Sequence, residues 1–82
     1  MGILFDDTYH VVLREEGRRI VDFNWRQMPW KGLCFEHEQR KLRVVDISVR
    51  VPTMGEQPYM VECDVVEAYR WVEDEERWDP VT

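Results

Sequence analysis

Cys34 and His37 stand in a C-x-x-H spacing, and His10 and Cys63 are the other two side chains of a type that could complete a zinc shell. The chemistry fails on spacing. On an extended chain, positions i and i+3 point to opposite faces, so one metal cannot easily take both Cys34 and His37. A structural zinc site also presents its second pair at close spacing, and here His10 and Cys63 are singletons. No metal and no cofactor are expected. The same residues give a poor nucleophile, because neither cysteine has elbow glycines around it and nothing places one at a strand end beside a base. The adjacent acids Asp6-Asp7, Glu15-Glu16 and Glu75-Glu76 read as solvated pairs at turns and termini. Gly17, Gly32 and Gly55 are isolated, and each falls in a turn, so no phosphate loop is present. No catalytic residue is assigned, and the chain is not expected to be an enzyme.

Binding chemistry has more to work with. The net charge is −6, unevenly placed: residues 14–50 carry nine basic and six acidic side chains, and residues 51–82 two basic and nine acidic ones. Arg18, Arg19, Arg26, Lys31, Arg40, Lys41 and Arg43 could line a basic edge, with Trp25 and Trp30 as stacking platforms for a single strand of nucleic acid. The overall acidity opposes that use, and cationic residues near hairpin ends also guard strand edges against pairing. Four tryptophans are many for 82 residues. Trp25 fits a core by parity, whereas Trp30, Trp71 and Trp78 lie outside the clean strand patterns. Large aromatics with a polar edge suit protein interfaces, although Trp71 and Trp78 could equally cap the open end of a small barrel. Between them lies an acidic block, Glu73, Asp74, Glu75 and Glu76. These aromatics and acids are the candidate interaction residues.

The elements that must position them follow a two-residue rhythm. Val45, Ile47, Val49 and Val51 alternate with Asp46, Ser48 and Arg50, and Tyr59, Val61, Cys63 and Val65 alternate around Glu62 and Asp64. Such alternation marks strands with one dry face. The pattern predicts strands over 8–14, 18–25, 33–37, 41–51 and 59–69. Connections are expected at Glu15 to Gly17, a three-residue hairpin loop; at Gln27 to Gly32; at Glu38 to Arg40; and at Pro52 to Pro58. The parity switch at Val44-Val45 predicts a bulge and a bend, and parity blurs again at Val65-Val66. Trp71 and Trp78 lie seven apart, and Arg70–Asp74 and Glu73–Arg77 have i,i+4 spacing. A short acidic helix or a disordered tail is therefore expected after residue 70.

The fold class that results is all-β and mainly antiparallel: a five-stranded barrel or roll, SH3-like or OB-like, over residues 1–70, with an acidic tryptophan-bearing tail over 71–82. Alternation sends Cys63 inward and Cys34 outward, so both thiols are expected free. No run reaches the roughly 20 apolar residues that span a bilayer, and the first residues, with Asp6 and Asp7, lack the pattern of a signal peptide. A soluble cytoplasmic protein is expected. Its function is read as a non-catalytic interaction or accessory module whose partner is another protein or a second copy of itself. The alternatives are a small acidic inhibitor that mimics nucleic-acid charge and a weak binder of single strands.

Overall fold

The computed structural model describes residues 8–51 and 60–81. The strands are β1 (Tyr9–Glu15), β2 (Arg18–Trp25), β3 (Cys34–His37), β4 (Arg40–Arg50), β5 (Met60–Val72) and β6 (Arg77–Pro80). They form one sheet in the order β2-β1-β5-β4-β3, with β6 paired to the far end of β5. Among the described residues there is no helix. The expected Pro52–Pro58 loop, with Gly55, lies outside the described residues.

Tight turns join β1 to β2, β3 to β4 and β5 to β6, and the longest ladder pairs β4 with β5. Glu16 and Gly17 both have positive φ, 55° and 78°, and join Glu15 directly to Arg18. The expected three-residue loop is therefore a two-residue turn of the kind whose twist matches the strands it joins. Glu38 and Gln39 repeat the geometry at φ 52° and 65° without any glycine, joining His37 to Arg40. Register shifts fall at Val45 in β4, where the parity switch predicted one, and at Ala68 in β5. Another falls at Ile20 in β2, opposite Leu13/Arg14.

The sheet is mixed: four of its described pairings are antiparallel, and β5 runs parallel to β1, with His10 opposite Met60 and Arg14 opposite Asp64. One expectation about it is corrected. The sheet is not closed into a barrel. β2 and β3 stand at opposite ends of the strand order with no ladder between them. The sheet curls enough for their side chains to meet, Phe23 and Trp25 each packing edge-on against Phe35 at 5.4 Å.

The inner face holds the core. Val11, Leu13, Leu42, Val44, Val61, Cys63 and Val65 are buried there, with Tyr9, Phe23, Trp25, Leu33, Phe35 and Ile47 packed around them. Val45, by contrast, is 45 % exposed, because as the bulged residue it leaves the inward phase. The thiols lie as alternation placed them, Cys63 buried and Cys34 exposed.

A second correction concerns the C-terminal segment, which is neither helix nor disordered tail. β5 continues through the expected boundary at residue 70, turns at Glu73–Glu76, and returns as β6 with Val72 opposite Arg77 and Trp71 opposite Trp78. Seven-residue spacing fits one side of a helix. It also fits two residues facing each other across a hairpin with a four-residue turn.

Candidate interaction site on the C-terminal hairpin

Residues 69–78 form a platform on the reverse face of the sheet. Leu42 points into the core, so its neighbour Lys41 points out, and Lys41 pairs with Tyr69. Trp71 shares the phase of Tyr69, and Trp78 faces Trp71 across the hairpin with ring centroids 5.3 Å apart, edge to face. The Lys41 ammonium lies 4.6 Å from the centre of the Trp78 ring and 5.9 Å from that of Tyr69. A backbone bond of 2.9 Å from the Trp71 amide to the Gln39 carbonyl ties the platform to the β3–β4 turn. Glu36, Gln39, Trp71 and Trp78 line an open groove beside it.

Glu73, Asp74, Glu75 and Glu76 form the exposed turn at the tip of this hairpin. Glu76 supplies its positive φ, 50°. Arg77 pairs with Glu75 and, at 3.2 Å, with Asp79. The i,i+4 pairs expected of a helix are replaced by these and by Arg70 on Glu67. The site residues Trp71, Trp78, Glu73, Asp74, Glu75 and Glu76 thus come together on one hairpin. Trp30 does not join them: 51 % exposed, it stacks on Trp25 at 6.5 Å.

The seven basic residues are not gathered on one edge. Arg18 and Arg19 start β2 and Arg26 follows its end, a separation of about 25 Å at the usual rise of an extended strand. Arg26 and Lys31 are exposed in the connection to β3, and Arg43 is exposed on the reverse face opposite Val66. Lys41 lies over the aromatic rings. Arg40 is held in an ion network that the sequence reading missed. Its guanidinium bonds both oxygens of Glu15, at 3.2 and 3.3 Å, and Glu67 at 3.3 Å, while Arg70 bonds Glu67 at 2.8 and 3.1 Å. Hydrogen bonds from Arg70, then from Arg40, hold the Glu67 carboxyl below its usual range. The bond to Glu15, against the cost of desolvation, raises Arg40 further. Glu15 keeps the inward phase of Tyr9, Val11 and Leu13, a signal that could have placed it under the sheet rather than in the turn.

The residues weighed for metal and nucleophilic chemistry are dispersed. Cys34 and His37 lie on opposite faces, His37 near Glu38 at 3.8 Å. His10 places Nε2 3.0 Å from Asp22 and Nδ1 3.1 Å from the Asn24 side-chain oxygen. Burial, then the neighbouring Asp64, pushes the Cys63 thiol up to about 11, so at neutral pH it is a protonated core residue. Among the described residues no three His, Cys, Asp or Glu side chains are grouped to hold a metal. A second groove lies where β1 has ended and β6 has not begun, lined by Arg14, Glu16, Val45, Asp64 and Val66 among others. Among the described residues no helix is long and apolar enough to cross a membrane.

No protein-family model, curated protein or solved structure matches this chain.

Proposed function

We propose that the protein is a non-catalytic interaction module that binds another protein through the reverse face of its C-terminal hairpin. One observation carries the reading. The Trp71–Trp78 pair stands on the face opposite the core, where no second layer of the described residues covers it. Large rigid aromatics are enriched among the residues that contribute most energy at interfaces, and neither Trp71 nor Trp78 is among the residues packed against the core cluster. Free thiols, one of them exposed, suit the reducing cytoplasm as the compartment.

The charge-mimic reading has less support. Glu62, Asp64 and Glu67 are each engaged by arginines, Arg14 and Arg50 on Glu62, Arg14 on Asp64, Arg40 and Arg70 on Glu67. Among the described residues the carboxylates without an ion pair are Glu73, Asp74 and Glu76 at the hairpin tip and Glu16, Glu36 and Asp46 on separate turns and strands, which is no continuous band. The single-strand reading loses Arg40 and Lys41 from its edge for the reasons above.

The test is capture from native lysate with the wild-type chain and with Trp71→Ala, each first checked for intact fold. Specific partners lost with Trp71→Ala support the reading. The same partners retained by that variant refute it. Sedimentation of both chains separates a second copy from a foreign partner, since a homodimer through this face dissociates when Trp71 is removed.

A further inference from the structure

The platform already holds one cation. Lys41 is the cross-strand neighbour of Glu36, yet its ammonium lies over Trp78 and Tyr69, and among the described residues Glu36 forms no ion pair. The rings therefore attract positive charge in competition with a nearby carboxylate, as expected for the negative faces of indole and phenol. Beside Lys41 lies the open groove between Glu36, Gln39, Trp71 and Trp78, with a volume of about 320 Å³. That is at the small end of ligand sites, roughly 300–1,000 Å³, and suits one side chain better than a whole organic ligand. Its walls combine two indole rings, one carboxylate and one amide. The adjoining turn adds Glu73, Asp74 and Glu76, none of them ion-paired among the described residues.

We propose that this groove receives an arginine side chain from a basic, extended segment of a partner protein. The guanidinium lies against the Trp71–Trp78 pair and donates to the Glu36 carboxylate, and basic residues flanking the arginine meet the acidic turn. Arginine fits better than lysine because its planar, weakly hydrated fork stacks and hydrogen-bonds at the same time. A polyanion such as nucleic acid is repelled by the turn, and a neutral apolar peptide leaves Glu36 and the turn without partners. The inference rests on the reading of the hairpin as an interaction surface, and adds the chemistry of what is bound.

The experiment follows the four indole N–H signals of ¹⁵N-labelled full-length protein, assigned by single Trp→Phe variants. The titrants are an acetylated, amidated peptide of four Arg-Ser repeats and its Gln-Ser counterpart, at low ionic strength. The arginine peptide is expected to shift Trp71 and Trp78 saturably and to leave Trp25 and Trp30 in place, with affinity that falls as salt is added. Glu36→Gln weakens binding, and Glu36→Lys weakens it about tenfold or more, the scale of a lost charge-assisted hydrogen bond. Unmoved Trp25 and Trp30 signals certify the fold of both variants. Equal shifts from the two peptides, shifts spread over all four indoles, or no saturable shift overturn the inference. If the arginine peptide does nothing while Trp71→Ala still abolishes capture of the natural partner, the arginine inference falls and the interaction reading stands. If Trp71→Ala leaves capture intact, the reading beneath it falls.

Discussion

The first half of β5 places Val61, Cys63 and Val65 between flanking strands at 0–2 % exposure. The second half carries Tyr69 and Trp71, larger side chains yet only half-buried, with the short β6 on one side and the very start of β4 on the other. One strand thus serves two ends. Where small branched residues meet others of their kind, the sheet is closed to water and its stability is made there. Where the bulkiest residues stand on the open face, stability gains little from them, and they remain available to a partner. Along β5 the small buried residues take the inner face and the two bulkiest aromatics take the reverse one, and that placement is what singles out the hairpin.

The largest effect expected on either region comes from Leu42→Ala, which removes a fully buried side chain facing β5. Urea denaturation should show a loss of about 2–5 kcal/mol, taking the whole sheet with it. Gly17→Ala acts on the same region through the backbone. There is open space for the added Cβ, but the φ of 78° is one that L residues resist, so about 1–2 kcal/mol is expected from strain alone. Trp71→Ala acts on the other region. It removes an aromatic pair worth roughly 0.5–1.5 kcal/mol beyond area burial, and hydrogen exchange should quicken at the amides of β6 while those of Val11, Leu13 and Cys63 stay protected. A uniform loss of protection would mean that the two halves of β5 are one cooperative unit, and the comparison would fail.

The smallest effect is electrostatic and sits at the junction of the halves. The Glu67 carboxyl titrates lower in the folded chain than in the unfolded one. Its contribution is therefore fully present above the ordinary carboxylate pKa and is lost as pH falls through the lowered folded value. Stability measured against pH should fall off in acid more steeply for wild type than for Glu67→Gln. Parallel curves would show that the network contributes nothing.

How much of this was legible in the chain follows the same division. β2 was readable to the residue, because Gly17 opens it and Val21, Phe23 and Trp25 alternate without interruption. The bulge at Val45 showed as a break in parity. The parallel pairing of β1 with β5 was not legible, because hairpin signals join only neighbours in sequence and this contact joins Val11 to Val61. The hairpin at the C-terminus was misread for a physical reason. Its turn contains no glycine, proline or asparagine, and a seven-residue separation of tryptophans satisfies two geometries at once. The Arg40 network stayed hidden because Glu15 and Arg40 look like turn residues, although each keeps the inward phase of its strand.

The central claim is that Trp71 and Trp78 serve binding and are dispensable for folding. The most direct measurement pairs thermal unfolding with partner capture for the double variant Trp71→Ser/Trp78→Ser. The double variant is expected to keep the core's cooperative transition within a few degrees of wild type and to lose retention of its partner. A chain that fails to fold, or one that folds and still retains the same partner, would contradict it.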